Sequence, residues 1–259
     1  MEQRGHVEEN RWVDQDLPSE PRRRAGLEPD GGKRPFTDKE LATLIYGPEE
    51  GYLADLMRVA ALSGMRIEEI CQLKLADCAN GVFVIHAGKT DNARRNIPIH
   101  SDLKTIIERR TKAGKSDDFL ISELPDPPKS RETRSDPASK KFTRYRRKQK
   151  VDERPNDKPK SNVDFHSFRR WFIRQARDRL STANGAYSPW TIADVVGHDD
   201  EGVKDLLKLT MRVYAGPSRA AAKKACVVAV GVPASRQTAY AGGRVGSART
   251  YTEFRLCST

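Results

Sequence analysis

The strongest constraint on the fold comes from residues 61–75, which read ALSGMRIEEICQLKL. Apolar residues recur at helical spacing on both sides of Gly64: Leu53, Leu56, Met57 and Ala60 before it, and Ile67, Ile70 and Leu73 after it. This spacing predicts two helices packed on a core, with Gly64 ending the first. Arg66 then lies in the first turn of the second helix, where its fork of donors suits a phosphate and Glu69 is placed to orient it. The alternative is a solvated surface pair.

The charge balance points to a polyanionic partner. The chain has 259 residues, 32% of them charged, and a formal net charge of +11. Such an excess attracts phosphate backbones at long range, although a merely basic protein is the simpler alternative. No apolar run reaches the roughly 18 residues that a membrane helix needs, and the N-terminus lacks the apolar core of a secretory signal. We therefore expect a cytoplasmic protein.

The sequence carries no pattern typical of a metal or nucleotide site. The four cysteines, Cys71, Cys78, Cys226 and Cys257, have neither the close pairing of a zinc ribbon nor the density of a disulfide scaffold. We interpret them as reduced thiols. There is no HExxH motif and no glycine-rich phosphate loop. Any chemistry is expected to need no metal and no cofactor.

Composition divides the chain into three parts. Residues 1–34 are polar and proline-containing, which predicts a disordered or extended arm. Thr37 and Glu40 have the spacing of a capping box, so a helix and the domain are expected to begin here, and the domain to extend over residues 35–230. Residues 231–259 have no apolar period and predict a flexible tail.

Within the domain, the patterns predict mostly helices and one β-hairpin. Residues 81–86 and 96–99 are short β-branched runs joined by a polar turn, with Lys89 where the first strand enters the turn. A lysine at a hairpin tip is usually only solvated. Further helices are predicted at residues 101–110 with Ser101 as cap, 165–176, 188–196, 206–214 and 218–230. The fold class is therefore mainly α with a small antiparallel hairpin.

A basic insertion is predicted at residues 125–162. Residues 129–160 hold thirteen Lys/Arg and five Asp/Glu, with no apolar period beyond Phe142 and Tyr145. We expect this segment to contact a nucleic-acid backbone, and the alternative is a solubilising insertion. The candidate contacts are Lys141, Arg144, Arg146, Arg147 and Lys148.

Four other polar residues lie beside helix boundaries. His166 and Arg169 are three positions apart and share a helical face among aromatic residues, although a histidine there is more often a core residue. His198 follows the helix stop Gly197, and Tyr214 ends a helical run. The simpler interpretation of that tyrosine is a helix-end anchor.

Taken together and in order, these residues resemble the catalytic domain of the tyrosine recombinase, or phage-type integrase, family. GMRIEEI resembles the first-arginine box, GKTDNARRNIPI the lysine hairpin and FHSFRRWF the HxxR helix. VVGHDD resembles the glycine-histidine box and TMRVYAG the nucleophile segment. The resemblance spans about residues 35–230 and implies the catalytic residues Arg66, Lys89, His166, Arg169, His198 and Tyr214, with Glu69 in support.

The resemblance implies a site-specific recombinase or integrase that joins Tyr214 to DNA through a 3′-phosphotyrosyl link without metal or ATP. It also implies double-stranded DNA as the partner, a homo-tetramer on two DNA sites, and a monomer without DNA. Tyr240 and Tyr251 are alternative nucleophiles. Because residues 1–34 are too short for the family's usual core-binding domain, we expect a fragment or a short member. A DNA-binding remnant inactive in recombination and a topoisomerase of the 3′-linking tyrosine type are alternative functions.

Overall fold

The computed structural model describes residues 32–49, 51–86, 94–126, 133–154, 160–197 and 217–234. The chain divides into two units, Met1–Lys33 and Arg34–Thr259, and every element below belongs to the second. The predicted arm, apart from its last few residues, the predicted helix at 206–214 and most of the predicted tail lie outside the described residues.

The described part of the chain is mainly helical, with one two-stranded antiparallel sheet, which confirms the predicted fold class. Its helices are α1 (Asp38–Ile45), α2 (Tyr52–Ser63), α3 (Ile67–Gln72), α4 (Lys104–Ala113), α5 (Asp136–Lys148), α6 (Ser167–Asp178), α7 (Pro189–Val196) and α8 (Ala220–Ala229). The strands are β1 (Val82–Ile85) and β2 (Arg95–Pro98), and short 3₁₀ turns cover Leu75–Cys78, Ser101–Leu103 and Leu180–Thr182.

Helix α2 is the centre of the fold. Ten of its 12 residues are buried, and it packs against α1, α3, α5 and α6. It ends at Gly64, whose φ of +67° lies in the left-handed region that glycine favours. A Cβ at Gly64 would also lie 2.7 Å from the ring of Phe172, so the predicted stop is confirmed and α6 can pack closely there.

The hairpin forms where the sequence predicts it: β1 is one residue shorter than expected at each end, and β2 is shifted by one residue toward the N-terminus. Val82 pairs with Pro98 and Ile85 with Arg95 in antiparallel register. Alternate side chains of β2 point inward, so Arg95 shares the buried face with Ile97. A charged residue is thereby drawn into the protein.

Within the predicted insertion at residues 125–162, the described helix α5 packs one face on the core. Phe142 is buried and packs edge-on against Phe165, with ring centroids 5.1 Å apart, and lies beside Phe168. The Tyr145 hydroxyl donates a hydrogen bond to the Leu44 carbonyl. Apolar residues at helical spacing therefore fix one face of α5 to the domain, while its charged residues occupy the rest.

The ordered domain extends at least to Arg34, slightly before the predicted boundary. The guanidinium of Arg34 binds the carboxylates of Glu40 and Glu153, and its backbone N–H donates to the Asn162 carbonyl. The capping box between Thr37 and Glu40 is confirmed. Arg34 therefore joins the start of α1 to the segment before α6.

Two other helix starts test the capping predictions. The Ser188 side chain accepts a hydrogen bond from the Thr191 N–H, and Pro189 is the first residue of the helix. The predicted start of α7 is therefore confirmed. The prediction that Ser101 caps the helix at 101–110 is wrong. His100 is the cap instead, because its Nδ1 accepts from the Asp102 N–H at 3.1 Å.

Among the helices in the described ranges, none is both long enough and apolar enough to cross a bilayer.

Candidate functional site

Arg66 lies at the N-terminus of α3, held from two sides. Its Nη1 donates to Glu69 Oε1 at 3.0 Å, and its backbone N–H donates to Glu69 Oε2 at 2.9 Å. Its Nη2 donates to the carbonyl of Gly197 at 3.2 Å. The side chain is 43% exposed, so it is both accessible and restrained. The solvated-pair alternative accounts for the exposure but not for the bond to Gly197.

Arg169 lies in the interior on the first turn of α6, and the residue is only 2% exposed. Its Nη1 donates to the carbonyls of Gly64, at 3.0 Å, and of Val196. Its Nη2 is buried and has no hydrogen-bond partner among the described residues. A buried cationic donor without an acceptor is costly, so this atom calls for an explanation, and a bound anion is one that its chemistry allows.

The end of α7 organises the arginines. Its last carbonyl groups have no acceptor role within the helix, and three consecutive ones, at positions 195–197, each accept from a different arginine. Arg95 binds the Val195 carbonyl, Arg169 that of Val196 and Arg66 that of Gly197. The negative end of the helix dipole favours cations here. Side chains from α3, β2 and α6 thus meet at one helix end.

The charges in this cluster repel one another. Burial, and then the charge of Arg66, lowers the pKa of Arg169 to about 9, which still leaves it protonated at neutral pH. Burial alone would raise the pKa of Glu69, but the hydrogen bonds and charge of Arg95 outweigh it and the pKa lies below its ordinary value. The carboxylate of Glu69 is thus the negative charge placed among the guanidinium groups of Arg66, Arg95 and Arg169. The positive charge that it leaves unbalanced favours a bound anion.

His166 precedes the first turn of α6, next to this cluster. Surrounding protein removes water from the ring and lowers the pKa of His166 to about 4, and the charges of Arg170, Arg169 and Arg66 lower it further in the same direction. Part of the residue is still exposed at the surface. The imidazole is therefore neutral at neutral pH and can accept a proton. A bound phosphate, being negative, would raise this pKa toward the range in which a histidine is an effective base.

We expect the His166 Cε1–H signal of the free protein to titrate with a midpoint near 4 instead of the usual 6.5. The signal is assigned by its loss in His166→Gln. Because the folded-state pKa is the lower one, stability is unaffected above the unfolded-state value and falls as the pH drops from 6.5 toward 4. The pH dependence should be weaker in His166→Gln. A midpoint close to 6.5 would contradict this environment for the ring.

Gly197 has two reasons to be glycine. Its φ is +62°, and a Cβ there would lie 2.7 Å from Nη1 of Arg95. Because Arg95 is held by Glu69 and Val195, its guanidinium cannot move aside without breaking those bonds. The backbone of Gly197 therefore packs directly against the buried guanidinium of Arg95.

Gly197→Ala is expected to lower the free energy of unfolding by about 2–4 kcal/mol, since left-handed strain and overpacking add. Gly185→Ala is the matched control, because Gly185 has φ of +75° with no atom near its Cβ position. It should cost only the strain, about 1–2 kcal/mol. Urea unfolding measures both. Equal losses in the two variants would show that Arg95 yields freely.

Three predicted site residues, Lys89, His198 and Tyr214, lie outside the described residues. The described chain stops at Gly197 and resumes at Pro217. Ser218 donates its backbone N–H to the Asp194 carboxylate at 2.7 Å, so both flanks of the 198–216 segment are attached to α7. Helix α8, predicted at 218–230, follows and packs on α7, β2 and α6.

The basic residues of α5 differ in exposure. Arg144, Arg147 and Lys148 are exposed, and Lys141 is partly exposed with its Nζ 2.7 Å from Glu49. Arg146 is buried, and its guanidinium binds Val151, Asp152 and Ser161. The expectation that Arg146 contacts DNA is therefore wrong for this structure, because its donors hold the segment that follows α5.

The described ranges contain no group of His, Cys, Asp and Glu side chains that could hold a metal ion. Cys71, Cys78 and Cys226 are free and buried, and burial raises the pKa of each thiol to about 12. These thiols pack in the core as small apolar groups.

Sequence reasoning missed Arg95 and Arg134. Arg95 alternates with Ile97 on the buried face of β2, and a charged residue at an inward strand position is the signal that could have revealed it. Arg134 is 1% exposed and donates to the carbonyls of Cys71, Ile121 and Pro125. It lies in the basic stretch, where its burial leaves no mark in the sequence.

A comparison with known proteins identifies the family of this chain. The model of the phage integrase family matches residues 36–201, which is more than half of the chain. A search of curated proteins found no match.

Several solved structures are similar, all below 25% identity. A lambda integrase dimer bound to a COC′ core site has 19% identity and a TM-score of 0.48, over 66% of this chain and 60% of that chain. The lambda integrase catalytic core has 18% identity and a TM-score of 0.47, over 64% of this chain and 96% of that one. XerA recombinase has 18% identity and a TM-score of 0.45, over 71% and 64%. The chain thus spans about 60% of the length of the first of these, and by the family match it belongs to the phage integrase family.

Proposed function

We propose that this chain cleaves and rejoins double-stranded DNA through a 3′-phosphotyrosyl intermediate, as a site-specific recombinase or integrase. The observation that carries the proposal is the meeting of Arg66 and Arg169 at the end of α7, with the Nη2 of Arg169 buried and unpartnered among the described residues. The side chain of Arg66 is exposed in this cluster, whereas Arg169 is buried.

The arginine cluster suits a phosphodiester, because each guanidinium carries several fixed donors. Arg66 and Arg169 would bind the non-bridging oxygens, where charge concentrates as a pentacoordinate transition state forms. Because their positions are fixed beforehand by backbone carbonyls and Glu69, little reorganisation is needed when the charge develops.

The chemical step uses residues on both sides of the phosphate. The Tyr214 oxygen attacks phosphorus, its proton passes to the neutral imidazole of His166, and the bond from phosphorus to the 5′-oxygen breaks. Lys89 donates a proton to that leaving oxygen, and His198 donates a hydrogen bond to the phosphate. Attack by a 5′-hydroxyl on the phosphotyrosyl ester reverses the step, so rejoining needs no ATP and no external reductant or oxidant.

Chain length supports Tyr214 as the nucleophile. Ser218, which is attached to α7 through Asp194, lies four positions after it, and four extended residues span at most about 14 Å. His198 directly follows Gly197, whose carbonyl binds Arg66. Both residues are therefore tethered to the helix at whose end the arginines meet.

The basic face of α5 supports contact with the DNA backbone. Arg144 and Lys148 line an open recess with Tyr145 and Gln149, and Arg147 is exposed on the same helix. Lysine and arginine contacts of this kind neutralise phosphates without reading sequence, so they position the duplex. We propose that active assemblies are homo-tetramers on two DNA sites and that the chain acts in the cytoplasm.

The proposal is tested by covalent capture from a pool of nicked duplexes with a randomised central region. Nicking releases a short strand after cleavage, so the phosphotyrosyl adduct accumulates. Adducts that survive denaturation are isolated, digested with protease and sequenced. A common DNA sequence joined through its 3′-phosphate is the expected result.

Other outcomes identify the alternatives. Adducts with no common sequence, together with relaxation of supercoiled plasmid, would indicate a topoisomerase. Salt-sensitive binding of the pool with no adduct would indicate a DNA-binding protein that does not cut. Absence of both adduct and binding would refute the proposal.

A further inference from the structure

We propose that Arg95 is a positioning residue that holds Arg66 through Glu69 and holds the backbone before His198 through the Val195 carbonyl. Its effect on rate rests on the function proposed above, whereas its effect on the position of Arg66 does not. Arg95 is the first residue of β2, and its side chain is 3% exposed. It is therefore too enclosed to act on DNA directly.

The link to Arg66 passes through one carboxylate. Arg95 donates from Nη1 to Glu69 Oε1 at 3.1 Å and from Nη2 to Glu69 Oε2 at 2.8 Å. The same two oxygens accept from Nη1 and from the backbone N–H of Arg66. Since a bidentate pair fixes both distance and rotation, Arg95 sets the plane of the carboxylate on which Arg66 rests.

The link to α7 is a separate hydrogen bond. Nε of Arg95 donates to the Val195 carbonyl at 2.8 Å, and its guanidinium lies against Gly197, leaving no room for a Cβ. Arg66 binds the Gly197 carbonyl two positions further on. Arg95 therefore joins α3 to the end of α7 in the interior, and Arg66 joins them at the surface.

The third link is the strand itself. The backbone of Arg95 pairs with Ile85, so the residue is the last pair of the sheet before the connection that contains Lys89. One side chain thus connects the hairpin, the first-arginine helix and the helix before His198. A lysine could replace the charge but not the three directed donors that make these connections.

The test compares Arg95→Lys with Arg110→Lys. Arg110 is the matched control, because it is also a largely buried arginine bound to carboxylates, those of Asp55 and Glu123, away from the arginine cluster. The first measurement needs no catalysis: the order parameter of the Arg66 Nε–H signal in NMR spectra, assigned by its loss in Arg66→Lys. We expect Arg66 to become more mobile in Arg95→Lys and to stay unchanged in Arg110→Lys.

The second measurement separates rate from binding. The rate of adduct formation at saturating DNA should fall roughly tenfold to a hundredfold in Arg95→Lys, the loss that misplacing a reacting group by about an ångström can cause. DNA affinity should change little, because Arg95 does not reach the surface. A purely structural defect would instead reduce the active fraction and leave the rate per active molecule unchanged.

Each outcome decides the proposal. An Arg66 signal that is as rigid in Arg95→Lys as in the wild type overturns it, whatever the rate. Increased mobility with no adduct even from the wild type would refute the proposed reaction and still support the positioning of Arg66. If Arg95→Lys fails to fold, Arg95→Gln takes its place, because it also removes the bidentate contact with Glu69 while leaving the direct contacts between Glu69 and Arg66 untouched, and the Arg66 signal must be more mobile in it for the proposal to stand.

Discussion

Replacing Tyr214 with phenylalanine is expected to abolish the covalent DNA adduct while leaving DNA binding intact. The phenolic oxygen is the atom that we propose to bond to phosphorus, and no other group on a phenylalanine ring can replace it. A tyrosine with a pKa of about 10 is a weak nucleophile at neutral pH, so the reaction depends on a nearby base and on the positive charge of Arg66 and Arg169.

Tyr240→Phe and Tyr251→Phe are the matched controls, since these residues were the alternative nucleophiles in the sequence. Both variants should form adduct at the wild-type rate. Tyr187→Phe controls for the loss of a hydroxyl in the folded domain, because Tyr187 is buried and its hydroxyl donates to the Ala176 carbonyl. If adduct persisted in Tyr214→Phe and vanished in Tyr240→Phe, Tyr214 would lose its assigned role.

Arg169→Lys is expected to slow adduct formation on the order of a hundredfold or more at saturating DNA. A lysine retains the charge and can bond to the Gly64 or Val196 carbonyl, but it cannot at the same time present a second donor in the direction of Nη2. The transition state would then lose a donor that is prepared in advance. Single-turnover measurement separates this loss from weaker binding.

Arg177→Lys is the control on the same helix. Arg177 is exposed at the other end of α6 and pairs with Asp178, so its replacement should leave the rate unchanged. Urea unfolding of both variants shows whether the lost carbonyl bonds of Arg169 also reduce stability. Similar adduct rates in Arg169→Lys and Arg177→Lys would remove the buried arginine from the proposed mechanism.

The local elements were predictable because their signals lie within a few residues of one another. The Thr37 capping box, the glycine stop at position 64 and the Ser188–Pro189 start are each decided by adjacent backbone groups. The hairpin follows from two short β-branched runs joined by a polar turn. The error at Ser101 was also local, since either it or His100 can accept from the same turn.

The placement of cations was less predictable, because burial depends on partners far along the chain. Arg146 looked like its exposed neighbours in a basic run, yet α5 turns it toward Ser161, which follows 15 positions later. Arg95 looked like part of a solvated turn, yet it donates hydrogen bonds to Glu69 and to the Val195 carbonyl, which lie 26 and 100 positions away in the chain. Sequence composition records charge, and it does not record which charges find acceptors.

The sequence by itself determined the helical class, the hairpin and the order of the family boxes, because periodicity and motif spacing act over short distances. Only the tertiary structure decided that Arg66, Arg95 and Arg169 each bind one of three successive carbonyls at the end of α7. The physical reason is that unpaired carbonyls at a helix end attract cations from whichever elements fold next to them. That convergence leaves one donor of Arg169, its Nη2, buried and without a hydrogen-bond partner among the described residues.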